Sequence, residues 1–201
     1  MPELLLASRS PYRRQLLERL NVPFTCVSPE VDETPFQGEA PEALARRLAY
    51  MKARALAPPG ARDLLIIGSD QVATLDGIQC LGKPGDHQSA VEQLRAASGN
   101  MVTFYTGLSL YDARSGTDET RCESVRAYFR PLTDLQIEHY LRQETPYDCA
   151  GAFKVEGLGI CLFERLEGDD PNALIGLPLI RLTEMLQKAG VDPLLMPTAP
   201  R

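Results

Sequence analysis

Leu64-Leu65-Ile66-Ile67-Gly68-Ser69-Asp70-Gln71-Val72 is an apolar run that ends abruptly in a glycine, a hydroxyl and a carboxylate. Four large aliphatics in succession read as a strand buried on both faces, although a run this short is also compatible with a buried helix segment. The flanks favour the strand: Pro58-Pro59-Gly60 stops what precedes it, and Gly68 lets the backbone turn sharply or approach a ligand closely. Asp70 is thereby expected at the carboxyl end of a central strand, where open α/β sheets bind ligands. The same position suits a turn or capping aspartate, so the stretch alone leaves both readings open.

Upstream, Glu3 to Ala7 reads as a short strand that runs straight into Ser8-Arg9-Ser10-Pro11-Tyr12-Arg13-Arg14, with Leu16, Leu17 and Leu20 at helical spacing beyond. Ser10 suits an N-cap and Pro11 a first helical residue. Strand, tight loop and helix N-terminus follow one another, and the free backbone N–H groups, two hydroxyls and three arginines make a candidate phosphate site. Phe24 to Ser28 reads as a second strand. After it, Pro29-Glu30-Val31-Asp32-Glu33-Thr34-Pro35 places three carboxylates in a stiff loop, which is either solvated or able to give oxygen ligands to a hard divalent cation. Pro41 to Pro58 has the periodicity of a helix, with Leu44, Leu48, Met51 and Ala55 on one face; Lys52 beside that stripe reads as a snorkelling surface lysine.

Downstream, Asp76-Gly77 suggests a hairpin turn, and Lys83 is held in a restricted turn between Gly82 and Pro84, suited to reaching one fixed anion. No GxxxxGK[ST] run is present. A helix over Asp86 to Ala97 closes at Gly99. Met101 to Tyr111 and Cys122 to Arg130 alternate like the arms of an antiparallel hairpin about Ser115-Gly116, and Thr133 with Gln136 forms a capping box opening another helix. Leu158 to Leu166 reads as a strand, and Leu179, Leu182, Met185, Leu186 and Ala189 as the face of a last helix ending at Gly190. One domain over residues 1–190 with a loosely ordered proline-rich tail over 191–201 accounts for the chain.

Composition narrows the chemistry. With 44% hydrophobic and 24% charged residues among 201, the chain is an ordinary globular protein with a substantial core. A formal net charge of −6 disfavours a nucleic-acid backbone as partner, while a small anion needs only a local basic cluster. No apolar run approaches the roughly 18 to 20 residues of a membrane helix, and Met1-Pro2-Glu3-Leu4 lacks the charged start of a signal peptide, so the expected location is the cytoplasm and no membrane partner is expected. Five cysteines make no CxxC pair, which argues against a disulfide framework or a zinc site. The two histidines, His87 and His139, fall at predicted polar helix positions, so the reactive groups are expected among carboxylates, lysines and arginines.

Taken together, Ser8-Arg9-Ser10-Pro11-Tyr12-Arg13-Arg14, Val31-Asp32-Glu33, Lys52-Ala53, Gly68-Ser69-Asp70, Gly82-Lys83-Pro84, Ser98-Gly99-Asn100 and Ala150-Gly151 resemble the Maf family of nucleoside triphosphate pyrophosphatases. The motifs recur in the family's order from about residue 3 to residue 190 and are specific in combination. The resemblance implies an α/β fold with a mixed, elongated central sheet flanked by helices, in two lobes with a nucleotide cleft, of the Maf and inosine triphosphatase type. It implies a divalent metal cation, Mg or Mn, and commonly a homodimer. Carried over by position, Asp70 matches the proposed proton acceptor and Glu33 the acid that works with it around the metal. Ser8, Arg13, Arg14, Lys52 and Lys83 fall on positions associated with the triphosphate, with Lys52 and Lys83 counted among the catalytic groups. Only the resemblance raises Lys52 above a surface residue.

Members acting on dTTP and UTP typically carry arginine, threonine and glutamine where this chain has Tyr12, Gln71 and Glu156. That trio resembles the subgroup acting on 7-methyl-GTP, with Tyr12 facing the cationic base and Glu156 accepting from guanine N1–H and N2–H₂. The expected products are a nucleoside monophosphate and pyrophosphate. Two alternatives remain: a pyrophosphatase for dTTP, UTP or a modified pyrimidine nucleotide, and a non-catalytic nucleotide-binding regulator.

Overall fold

The computed structural model describes residues 1–60 and 62–196. Seven strands form one mixed sheet: β1 (Glu3–Ala7), β2 (Thr25–Val27), β3 (Leu64–Thr74), β4 (Cys80–Leu81), β5 (Met101–Asp112), β6 (Thr117–Phe129) and β7 (Phe163–Glu167). Their order is β2-β1-β3-β5-β6-β7, with β4 attached to β3. β2, β1 and β3 run parallel, whereas the pairs β3–β4, β3–β5, β5–β6 and β6–β7 are antiparallel. Five α-helices pack around it: α1 (Pro11–Glu18), α2 (Pro41–Arg54), α3 (His87–Ala97), α4 (Asp134–Glu144) and α5 (Leu179–Lys188). The α/β fold read from the sequence is thus present, and no helix among the described residues is long and apolar enough to cross a membrane.

Local chemistry sets the helix ends as expected. The Ser10 hydroxyl accepts from the Arg13 N–H at the start of α1, Asp86 caps α3 through the Ser89 N–H, and Thr133 with Gln136 makes a complete capping box at α4. Gly99 and Gly190 take positive φ just past the ends of α3 and α5.

Two apolar clusters define the lobes. Leu6, Leu16, Leu17, Leu65, Ile67 and Leu182 are buried in one, between the sheet and α1 with α5. Phe104, Phe129, Phe153, Phe163, Leu94 and Ile137 are buried in the other, under α3 and α4. Strand β5 threads both, with Val102 and Phe104 in the second cluster and Leu108 in the first. Phe153 packs edge-to-face on Phe104 and Phe163 at ring-centroid distances of 5.2 and 5.0 Å, which anchors an otherwise irregular segment.

Helix α2 lies flush on the sheet because two glycines let it. A Cβ on Gly68 would stand 2.1 Å from the Ala49 carbonyl oxygen, and one on Gly107 would stand 2.1 Å from that of Ala45. Gly68 therefore serves a close approach, but to a helix, and the strand does not turn there.

Several expectations are corrected. Strand β3 continues through Thr74, so Asp70 sits in mid-strand, and the carboxyl end beside it belongs to β1, whose last pair is Ala7 with Gly68. The helix expected over 41–58 ends at Arg54, and β6 begins at Thr117 instead of Cys122. The first half of the strand expected over Leu158 to Leu166 is a 3₁₀ turn, Leu158–Leu162. There the Leu158 N–H donates to Glu144 Oε1 at 2.7 Å, and a Cβ on Gly159 would meet the Lys154 carbonyl oxygen at 2.3 Å, so the chain is drawn inward before it can extend. His87 is no free surface group: its ring nitrogens lie 2.9 Å from the Tyr147 hydroxyl and 3.1 Å from Glu138 Oε2. Of the tail, Pro193–Leu195 forms one 3₁₀ turn and residues 197–201 lie outside the described residues.

Candidate active site

A cavity of about 710 Å³ opens where the sheet is interrupted. β1 ends beside Gly68 and β4 joins β3 only at Ala73, so the middle of β3 is left open between them. The chain leaving β1 supplies Ser8 to Arg13, the loop after β2 supplies Glu33, the chain after β4 supplies Lys83, and the segment before the last 3₁₀ turns supplies Asp148 to Glu156.

Lys52 is the centre of the charged part. Far from snorkelling, it is only 8% exposed, and its ammonium lies 2.5 Å from Asp70 Oδ1 and 2.6 Å from Glu33 Oε1. The local reading fails because α2 is pressed onto β3 by Gly68, which turns this helix position inward. Burial pushes the Glu33 carboxyl up, but the Lys52 hydrogen bond and charge, helped by Lys83 and Arg13, outweigh it and hold the carboxyl below the usual range. Arg13 is half-buried, and its Nε donates to the Gly176 carbonyl at 2.8 Å. Burial lowers its pKa while Asp70 and Glu33 oppose that shift, and a guanidinium stays charged in either case. The same Gly176 carbonyl accepts from the buried Ser69 hydroxyl at 2.8 Å. Ser8 is buried beside them, its oxygen accepting from the Ser10 N–H at 3.1 Å.

Among the described residues no group of three or more His, Cys, Asp or Glu converges, and the two carboxylates brought together at the centre of the cavity, both on the Lys52 ammonium, are Glu33 and Asp70. The pair already shares one cation, the Lys52 ammonium, so its oxygens are spaced for a positive charge. Two hard oxygen donors suit Mg²⁺, which keeps waters and substrate phosphates for the rest of its shell.

A second group of residues contrasts with the first. Tyr12 projects from the start of α1 into the cavity, and the Cys149 sulfur lies 3.9 Å from its hydroxyl and 3.5 Å from Asp148 Oδ1, the two acceptors within reach of its one proton. Burial, then the neighbouring Cys149, Asp148 and Glu156, raise the Tyr12 phenol well above its ordinary value, which keeps it neutral. Burial and Asp148 push the Cys149 thiol up to about 12. Asp148 and Glu156 are exposed and line the same cavity. Gln71 lines it too, but its Nε2 is committed to Thr106 Oγ1, the Ala173 carbonyl and the Leu174 carbonyl at 2.9–3.1 Å.

Of the expected site residues, the cavity gathers Ser8, Tyr12, Arg13, Glu33, Lys52, Asp70, Gln71, Lys83 and Glu156. Arg14 stands apart, 65% exposed and paired with Glu18 one turn on at 3.1 Å. Arg9 also lines the cavity, its Nε donating to Ser28 Oγ. Its place between two serine hydroxyls just past a strand was the signal for it. Nothing local pointed to Gly176, Thr106 or Asp148.

The family description "Maf-like protein" matches residues 3–189. A protein of Nitrosococcus oceani named 7-methyl-GTP pyrophosphatase is 56% identical over 94% of this chain and 94% of its own. One of Burkholderia thailandensis with the same name is 56% identical over 94% of this chain and 89% of its own. The solved structure of the Staphylococcus aureus Ham1 protein aligns with 64% of this chain and 72% of its own at 16% identity and a TM-score of 0.44.

Proposed function

The chain belongs to the Maf family, and from that premise we propose that it hydrolyses 7-methyl-GTP between the α and β phosphates, giving 7-methyl-GMP and pyrophosphate. The observation that carries the reading is the make-up of one cavity. Arg13, Lys52 and Lys83 surround Glu33 and Asp70, while Tyr12, Asp148 and Glu156 form an aromatic and acidic group beside them. A triphosphate is strongly anionic, and N7-methylation gives guanine a delocalised positive charge. The two groups of residues complement those two parts of one molecule.

In this reading Asp70 accepts the proton of the attacking water, a role worth about 10²- to 10⁴-fold. Lys52 holds Asp70 and Glu33 at a fixed separation. Arg13 and Lys83 oppose the negative charge that grows on the leaving pyrophosphate, and Ser8 has its own hydroxyl proton free for a phosphate oxygen because its oxygen already accepts from the Ser10 N–H. A divalent metal, Mg or Mn, would be held by Glu33 and Asp70 and would supply Lewis acidity toward phosphate and water. Tyr12 offers its ring face to the cationic base, an interaction worth about 0.5 to 2 kcal/mol. Glu156 accepts from the guanine 2-amino group, which uracil and thymine lack. With its amide tied to the backbone of 173 and 174, Gln71 positions the cavity wall and does not reach the base with its side chain.

Pyrophosphate release with Mg²⁺ or Mn²⁺ across 7-methyl-GTP, GTP, dTTP and UTP tests the assignment. Fastest turnover is expected on 7-methyl-GTP. Preference for dTTP or UTP would move the substrate, and binding without release would make the protein a regulator. A homodimer in the cytoplasm completes the proposal, and light scattering decides the assembly.

A further inference from the structure

Strand β3 pairs with β5 without interruption from Leu65 to Thr74, but its other edge is covered in two pieces, by β1 up to Gly68 and by β4 from Ala73. In a strand the N–H and C=O of one residue point to the same edge, and successive residues alternate. The Asp63 carbonyl accepts from the Glu3 N–H, toward β1, whereas the Leu64 carbonyl accepts from the Ala113 N–H, toward β5. Odd-numbered residues of β3 therefore face β1 and β4, and the unbroken register carries that parity to Gln71.

Gln71 falls in the gap. Neither strand reaches its N–H and C=O, and among the described residues no loop or side-chain group bonds to either. It is also the one residue of β3 past Leu64 that is not buried, and it lines the cavity. Ser69, the other odd-numbered residue beside the gap, is fully buried. A main-chain donor and acceptor standing side by side at an open strand edge are a template for a partner with the complementary pair.

We propose that the main chain of Gln71 is the subsite for the lactam edge of the base. Its N–H donates to the ring carbonyl oxygen and its C=O accepts from the adjacent ring N–H, as an added strand would pair. The inference rests on the nucleotide reading above and deepens it. Guanine, hypoxanthine, uracil and thymine all present this edge, so the notch serves a class of bases, and Tyr12 and Glu156 choose within it. Adenine presents an amino donor beside a bare ring nitrogen. With the base orientation held by the triphosphate, adenine sets donor against donor and acceptor against acceptor. The Gln71 carbonyl also repels phosphate, which separates this notch from the basic group beside it.

The test uses the whole chain, amide hydrogen exchange and a matched pair of nucleotides. Saturating 7-methyl-GMP is expected to slow exchange at the Gln71 amide at least about tenfold, while pyrophosphate and ribose 5-phosphate leave it unchanged. IMP, which differs from AMP only at this edge, is expected to bind about tenfold more tightly or better. Three outcomes overturn the inference: unchanged exchange at Gln71 when the Ser10 and Arg13 amides respond to ligand, equal slowing by pyrophosphate or ribose 5-phosphate, and equal binding of IMP and AMP. If pyrophosphate release fails while Gln71 protection by the nucleotide persists, the proposed reaction falls and the subsite stands.

Discussion

The charged part of the cavity and its aromatic, acidic part are built by different means. Arg13, Lys52 and Asp70 stand on α1, α2 and β3, each held by a bond to another element: Arg13 to the Gly176 carbonyl, Lys52 to Asp70 and Glu33. Asp148 and Glu156 stand on irregular backbone and are exposed, with Phe153 between them as the anchor in the core. In the proposed reading, the groups at the triphosphate stand on regular elements, Ser8, Glu33 and Lys83 excepted, while two of the three that meet the base stand on a loop, Tyr12 being on α1.

The largest effect that would test this contrast is expected from Asp70→Asn. The amide keeps the shape but accepts no proton, and kcat should fall roughly 10²-fold or more with the unfolding midpoint little changed. More than half of the original kcat in a folded variant would remove Asp70 from the mechanism.

Next come Arg13→Ala and Lys83→Ala, for which kcat/KM should fall about 10- to 10²-fold on every nucleotide accepted, with the ranking of nucleotides nearly unchanged. A reordered ranking in either variant would place that residue with the base and dissolve the distinction. Gly68→Ala disturbs the charged part without touching the other: its Cβ collides with the α2 backbone, and overpacking of this kind costs about 1 to 3 kcal/mol. Calorimetry should register that loss, and residual activity should drop because Lys52 rides on the displaced helix.

Smaller and selective changes are expected from Tyr12→Ala and Glu156→Gln. Each should reduce the preference for 7-methyl-GTP over UTP by about 2- to 30-fold, Tyr12→Ala through a lost cation–π contact and Glu156→Gln through a weakened charge-assisted hydrogen bond, while turnover of UTP is held. If both variants kept the original ratio of kcat/KM values, the base would be read elsewhere. The smallest effect belongs to Arg14→Ala, less than about twofold in kcat/KM, because Arg14 points away and its exposed pair with Glu18 is worth about 0.5 kcal/mol or less. A loss like that of Arg13→Ala would mean that Arg14 turns into the cavity when substrate arrives.

Arg13 and Arg14 also mark where reading the chain stops. Both follow the same capped helix start, and local pattern assigns both to phosphate. They point apart because neighbouring residues lie on different faces of a helix, and which face meets the cavity depends on how α1 docks on the sheet. Lys52 makes the same point in reverse, a polar position beside an apolar stripe that becomes, with Asp70, one of the two buried charges of the site.

What the sequence determined by itself is what short-range physics controls. The caps at Ser10, Asp86 and Thr133, the apolar run into β3 and the alternation of β5 all depend on residues a few positions apart. The tertiary structure decided the rest. Asp70 in mid-strand and the bare edge at Gln71 follow from where β1 and β4 stop beside β3, Lys52 meets Asp70 from 18 residues away because α2 packs on Gly68, and Arg13 meets Gly176 from 163 away because of how α1 docks. Strand pairing and helix docking join segments far apart in the chain, and their register is set by the whole buried surface at once, which no local stretch encodes.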